Sequence, residues 1–356
     1  MSTGPFYFAR GTWRWAVGGG PACHASPAWP ASPPVFPAFP ASYNPHMFTF
    51  MRIGVALILG LSLSAASVTL RGADAPKSLI AHRGASGYAP EHTFASYDLA
   101  IAQKADFVEP DLAVSKDGVL ICLHDDTLER TTNVSEVFPE RFSRDVKGRN
   151  GEKRWVANDF TLAEIKKLDA GRWRDATFAG AQVPTWDEML ARVQAHPGVG
   201  VYPELKSPPL YTGRGIDMTT IFVDSVKKHG LDKADSLRKT PVIIQSFDRP
   251  TIKRMSIELP TVPRVFLTSE DTDLSDERLK DLATFATGIA PEKGLIAGHP
   301  DLVKRAHALG LTVTAWTFRA DEKTSYPSVR DEMSQFLYTF GIDALFTNNP
   351  DQFPRR

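Results

Sequence analysis

From residue 78 to residue 347 the chain alternates short apolar, β-rich runs with amphipathic stretches, and this rhythm restricts the fold more than any other feature. The sequence predicts strands at Ser78–Ala81, Phe107–Val114, Val119–Leu123, Gly200–Leu205, Pro241–Ser246, Arg264–Leu267, Thr287–Ala290, Leu311–Thr317 and Ala344–Thr347. Between them it predicts helices at Thr93–Gln103, Thr161–Lys167, Trp186–Ala195, Thr219–Lys228, Arg249–Ile257 and Asp301–Leu309. Thr93, Thr161 and Asp301 are expected N-caps, and Gly230 and Gly310 stand where helices end on glycine. Such alternation calls for an α/β fold with a parallel sheet. No glycine-rich nucleotide loop follows the first strand, so a TIM (β/α)8 barrel fits better than a doubly wound sheet. Thr131–Gly180 breaks the rhythm with a polar, Arg-, Asp- and Gly-rich stretch, read as a small insertion above the barrel mouth.

The N-terminus follows other rules. Residues 1–46 are Pro/Ala-rich without a sustained period and are expected to be irregular or not translated. Met47 to Ala75 combines a basic residue, Arg52, an apolar run from Ile53 to about Ala66, and Ala73-Asp74-Ala75, the pattern of a cleavable signal peptide. The reading is translation from Met47 or Met51, cleavage near Ala75, a periplasmic or secreted product of residues 76–356, and no stable membrane insertion afterwards. The signal segment and extension hold Arg10, Arg14, Arg52, Arg71 and Asp74, so the remainder carries 37 Lys/Arg against 40 Asp/Glu, a net charge of −3. A nucleic-acid partner is thereby disfavoured. Of the two cysteines only Cys122 is left, so no intrachain disulfide can form and the core must hold the fold.

In a barrel enzyme, chemistry gathers where strands end at the C-terminal face. The expected strand ends read His82-Arg83-Gly84, Glu109-Pro110-Asp111, His124-Asp125, Glu204-Leu205-Lys206, Gln245-Ser246-Phe247 and Trp316. Strand side chains alternate, so Glu109 and Asp111 share a face, and Glu204 can join them from another strand. Three carboxylates at one mouth repel unless a cation compensates, helped by Arg83 and Lys206. All-oxygen ligation points to one divalent cation, Ca²⁺ or Mg²⁺, rather than zinc. The bland alternative is a set of paired surface acids, which the apolar neighbour Val108 weakens. His82 and His124 each end a strand beside charged groups, as an acid–base pair would. His92 begins a helix and reads as peripheral, and the remaining histidines read as loop or helix-surface residues.

These pieces resemble a known family. Ile80-Ala81-His82-Arg83-Gly84, Ala89-Pro90-Glu91-His92-Thr93, Val108-Glu109-Pro110-Asp111-Leu112, Lys116-Asp117-Gly118, His124-Asp125 and Arg130-Thr131-Thr132 are similar to the glycerophosphodiester phosphodiesterase signature. Pro203-Glu204-Leu205-Lys206, Gln245-Ser246-Phe247-Asp248, Ala315-Trp316-Thr317 and the tail from Gly341 to Asp351 continue it. The segment Asp159-Phe160-Thr161-Leu162 resembles the periplasmic, calcium-using branch. The resemblance implies that His82 and His124 are the essential histidines and that Glu109, Asp111 and Glu204 hold the metal. It further implies that Arg83, Lys206 and Glu91 contact or support phosphate, and that Gln245 and Trp316 line the substrate site; Trp316 could equally be core packing. It implies hydrolysis of a small glycerophosphodiester to sn-glycerol 3-phosphate and an alcohol, through a cyclic phosphate. Two departures stand out. His92 replaces the Asn common after Glu91, and the tail Thr347-Asn348-Asn349-Pro350 has Asn where the family often has Asp, with no catalytic cost expected. The rivals are a lysophospholipase D or a phosphatidylinositol-type phospholipase C on the same barrel, and a non-catalytic phosphate- or polyol-binding protein.

Overall fold

Eleven strand segments form among the residues that the computed structural model describes, 76–146, 148 and 151–356. They are β1 (Ser78–His82), β2 (Phe107–Glu109), β3 (Asp111–Val114), β4 (Leu120–Cys122), β5 (Gly200–Val201), β6 (Glu204–Leu205), β7 (Ile244–Ser246), β8 (Arg264–Thr268), β9 (Gly288–Pro291), β10 (Thr312–Phe318) and β11 (Ala344–Thr347). The Pro/Ala-rich extension and the expected signal segment lie outside the described residues.

The expected strand at 107–114 is divided into β2 and β3 at Pro110, and the one at 200–205 into β5 and β6 around Pro203. Proline has no N–H to give to a ladder, which accounts for both breaks. Because β2 pairs with β5 and β3 with β6, the two broken strands still run side by side. Seven further pairings, all parallel, carry the ring through β7, β8, β9, β10 and β11 back to β1 and β2. Eight parallel staves thus close the TIM barrel among the described residues.

One expectation is corrected here. Val119–Leu123 is not a stave. Its core, β4, pairs antiparallel with β3 as a hairpin, matching Leu112 to Cys122 and Val114 to Leu120. The second stave overshoots the mouth and the chain folds back down it.

Helices cover the outside, and their starts are encoded locally. Thr93, Thr161 and Thr185 each form a capping box ahead of Phe94–Ala102, Leu162–Ile165 and Trp186–Gln194. Asp301 occupies the N-cap of Leu302–Ala308 but makes no side-chain capping bond, contrary to expectation. Gly230 and Gly310 have φ of +66° and +77°, as a helix end on glycine requires.

The alternation along each stave separates two cores. Leu79 and Ala81 join the large outer core between barrel and helices. Ile80, Tyr202, Val265, Leu267, Ala290, Ala344 and Phe346 form the inner one, joined by Phe107, Ile243 and Trp316. Aromatic edges plug the lumen: Tyr202 lies 5.8 Å from Phe107 and 5.1 Å from Phe346, both T-shaped. Gly200 is required there, since a Cβ would lie 2.5 Å from the Phe107 ring.

The 131–180 segment is tied to the hairpin. Buried Asn158 donates to the carbonyls of Val114 at 3.1 Å and Ser115 at 3.0 Å. Removing that amide leaves two buried acceptors short of a donor, which costs about 1–3 kcal/mol. Asn158→Ala is therefore expected to lower the urea midpoint at constant m-value; an unmoved midpoint would mean that these bonds are exchanged for water at no cost.

Candidate active site

Counting upward by two along each stave carries the lumen's inward face to the mouth, and the chemistry changes at that level. Ile80 leads to His82, Phe107 to Glu109 and then Asp111, Tyr202 to Glu204 and Lys206, Ile243 to Gln245, and Phe346 to Asn348. A cavity of about 540 Å³ opens there, lined by His82, His124, Glu109, Glu204, Gln245 and Trp316 among others.

Glu109, Asp111 and Glu204 are all buried, and each presents a carboxylate oxygen within 4.8 Å of the other two. The Arg83 N–H donates to Glu109 Oε2 at 2.7 Å. Asp111 Oδ2 lies 3.1 Å from Arg83 Nε and 2.9 Å from His92 Nε2, while Lys206 Nζ sits 2.9 Å from Glu204 Oε1. Burial, with the charge of Asp111, pushes the Glu204 carboxyl up to about 8, against the pull of Lys206. Burial and Asp111 likewise raise Glu109. Burial also opposes ionisation of Asp111, but Lys206, Arg83 and His92 outweigh it and hold that group low. The protein's own cations therefore support one carboxylate of the three.

The site fits a hard divalent cation. Oxygens up to 4.8 Å apart can share an ion with bonds of about 2.3–2.6 Å. Gln245 supports this, because its Oε1 is buried without a partner while its Nε2 lies 3.4 Å from Glu109 Oε1.

A pH dependence follows from these shifts. A carboxyl raised in the fold stabilises the metal-free chain fully below its ordinary pKa of about 4.3 and loses that contribution as pH climbs towards its folded value. For Glu204 that value is about 8. A cation takes the ligands deprotonated, so its stabilisation grows over the same interval. The Tm gap between Ca²⁺-loaded and metal-free protein is expected to widen from about pH 5 to about pH 8; a constant gap would show that Glu204 is ionised without the ion.

The two imidazoles are held differently. His82 Nδ1 lies 2.7 Å from Asn348 Oδ1, and burial followed by Arg83 pushes the ring down to about 3. His124 Nδ1 lies 2.6 Å from Asp125 Oδ1. Arg130 then bridges Asp125 (2.5 and 3.1 Å) and Glu91 (2.8 and 2.9 Å), and Glu91 accepts from Arg83 at 2.9 Å. Burial works against ionisation of Glu91, yet Arg130 and Arg83 lower it to about 2. A continuous polar chain thus joins His124 to the acid cluster. The turn that starts it is strained: Arg83 adopts φ +58° and His92 φ +54°. Gly84 between them could take no side chain, since a Cβ would meet Ser96 at 2.5 Å.

The profile described as the glycerophosphoryl diester phosphodiesterase family matches residues 82–352. The chain belongs to that family. A Bacillus subtilis glycerophosphodiester phosphodiesterase is 34% identical over 320 residues, covering 85% of this chain and 96% of its own length. One from Haemophilus influenzae is 33% identical, covering 84% and 94%. Among solved structures, an Oleispira antarctica phosphodiesterase in complex with the product sn-glycerol-3-phosphate superposes with a TM-score of 0.60 at 26% identity, covering 77% of this chain and 94% of its own.

The fold brings together the ten residues that the sequence singled out for this family's chemistry, with Asp111 behind the others against His92. Trp316 lies at the cavity wall and packs against the inner core, its Nε1 donating to the Ala290 carbonyl at 2.8 Å. His92 is a correction. It is not peripheral but buried, spanning Asp111 and the Tyr97 hydroxyl at 2.9 Å each. His307 also departs from a bare surface role, lying 2.8 Å from buried Asp343 Oδ2. Asp125 and Arg130 were legible as parts of a motif but not as a bridge, which depends on Glu91 arriving from another loop. Trp173 and Arg174 had no signal in sequence; they reach the cavity from the 131–180 segment, where Arg174 Nη2 donates to the Gly87 carbonyl at 2.6 Å.

Proposed function

We propose that this chain hydrolyses glycerophosphodiesters to sn-glycerol 3-phosphate and an alcohol in a cation-dependent reaction at the barrel mouth. One observation carries the reading: three carboxylates within 4.8 Å of one another share a mouth with two imidazoles. The product named for the Oleispira relative agrees with it. Glu109, Asp111 and Glu204 would hold the cation, with Ca²⁺ put ahead of Mg²⁺ by the resemblance of Asp159-Phe160-Thr161-Leu162 to the calcium-using branch. When bound, the ion supplies positive charge against the phosphate oxygens. Arg83 and Lys206, already at the acids, add donors to the same anion.

The glycerol 2-hydroxyl oxygen forms the new bond to phosphorus and gives its proton to one imidazole. The second imidazole protonates the departing alcohol oxygen as its bond to phosphorus breaks. Water then opens the cyclic phosphate with the two roles exchanged, restoring both rings. Trp316 offers a flat wall to the glycerol carbons.

The test is release of sn-glycerol 3-phosphate from glycerophosphocholine, with lysophosphatidylcholine and a diester lacking the neighbouring hydroxyl run beside it. Turnover of the first alone supports the reading. Preference for the acylated substrate would favour the lysophospholipase D reading, rapid cleavage of the hydroxyl-free diester would exclude the cyclic route, and binding without product would favour a binding protein.

Export belongs to this proposal. The short apolar run after Arg52 and the Ala73-Asp74-Ala75 site support cleavage near Ala75. Among the described residues no helix is long and apolar enough to cross a membrane. N-terminal sequencing of the secreted protein that began at residue 20 or 30 would refute the cleavage.

A further inference from the structure

The loop that ends the last stave carries a side chain aimed at the chemistry. Alternation places Phe346 and Asn348 on the inward face, and Asn348 Oδ1 meets His82 Nδ1 at 2.7 Å. The Phe346 ring contacts the same imidazole edge-on, with centroids 6.3 Å apart. We propose that Asn348 is a positioning residue for His82, holding the Nδ1–H tautomer so that Nε2, at the opposite edge of the ring, is the atom that exchanges the proton. This rests on the reading of His82 as one of the acid–base pair.

The backbone around Asn348 is fixed closely enough for that task. Its N–H donates to the Phe318 carbonyl at 3.1 Å, and its own carbonyl accepts from the Gly87 N–H at 2.8 Å. Next to it, the Asn349 N–H donates to Thr347 Oγ1 at 3.0 Å, and Asn349 Oδ1 accepts from the Ala320 N–H at 2.9 Å. Gly87 closes the clamp from the first loop, since a Cβ there would fall 2.7 Å from the Asn348 oxygen and 2.5 Å from Asn349 Nδ2. The loop after β11 is thereby locked to the loop after β1 that bears His82, and Ser86 of that loop donates to the His82 carbonyl at 2.7 Å. The amide oxygen orients the ring as an acceptor that carries no charge of its own. His124 is oriented by the carboxylate of Asp125, so the two rings are held by partners of different charge. The expectation that Asn in place of the family's Asp carries no catalytic cost is compatible with this role, since either side chain offers His82 an acceptor oxygen.

The experiment measures kcat, KM and Ca²⁺ affinity for Asn348→Ala, Asn348→Leu and Asn348→Asp beside wild type and His82→Ala, together with the NMR spectrum of the His82 ring nitrogens. Loss of the acceptor in the Ala and Leu variants is expected to lower kcat about 10- to 100-fold, the range for groups that orient a functional histidine, with KM and Ca²⁺ affinity within about threefold. Asn348→Asp, which keeps an acceptor oxygen at the same place, is expected to return kcat to within about threefold of wild type. The wild-type ring is expected to show one Nδ1–H tautomer, giving way to averaged signals in Asn348→Ala. An unchanged kcat in Asn348→Ala, a loss that Asp does not recover, or averaged ring signals in the wild type itself overturns the assignment. The ring spectrum needs no turnover. A wild-type chain inactive on diesters would therefore defeat the proposed function while this point was still decided.

Discussion

His82→Ala and His124→Ala are each expected to lower kcat by at least about 100-fold, the usual scale for a lost general acid or base, and the double variant by little more than the worse single one. The site gives each ring a distinct starting state. His82 lines the cavity half-buried, and burial with the neighbouring Arg83 pushes it down to about 3, so it stands neutral. His124 faces an anion. Burial would raise Asp125, but its bonds from His124 and Arg130 hold it well below the carboxylate range. That carboxylate accepts at Nδ1 and fixes the orientation of the ring. In the proposed mechanism the two rings act on opposite sides of one displacement, so losing either would stop the same step, and non-additivity would be the signature of that arrangement. His82→Ala gives up an edge contact with Phe346 but leaves the rest of the lumen core in place, and far-UV circular dichroism of both variants is expected to stay close to wild type. A loss below tenfold for both single variants would remove the histidines from the mechanism.

Chelation is expected to reduce turnover by about 10²–10³-fold or more, with Ca²⁺ restoring it, because the phosphate would then meet buried acids with no compensating charge. The acids themselves predict how the loss is distributed. Asp111 is the carboxylate that the protein's own cations keep ionised, through Lys206, Arg83 and His92. Glu204 and Glu109 are held towards their neutral forms by burial and by Asp111. Asp111→Asn should therefore weaken Ca²⁺ binding most and also release Arg83 and His92 from their common partner. Glu204→Gln should weaken Ca²⁺ binding while raising the stability of the metal-free chain at about pH 8, since a charge that the fold resists is gone. Isothermal titration with Ca²⁺, paired with urea melts of metal-free protein, reads both effects. Full activity in chelator would sink the cation reading.

Much of this site was written in the chain because it sits on barrel staves. The period of two fixed that Glu109 and Asp111 share a face, and the alternation of strands with helices fixed that Glu204, Gln245 and Trp316 come to the same end. His124 shows where that logic stops. Its run reads as a stave in sequence, yet β4 pairs antiparallel with β3 and delivers the ring by descending the hairpin. Apolar periodicity is the same for either direction of pairing. His92 shows a second limit. It begins a turn ahead of a helix, where a sequence suggests surface, and only the left-handed turn at Arg83 and His92 folds it down onto Asp111.

The sequence by itself pointed to the barrel through its alternation of strands and helices, to the family through the resemblance of its ordered motifs, and to the acids through residue type and the period of two. Tertiary structure alone decided how those groups are held: Asn348 on His82, Arg130 between Asp125 and Glu91, His92 beneath Asp111. Those contacts join residues separated by 266, 39 and 19 positions. No local rule carries such information, since the partners meet only after the ring of strands has closed.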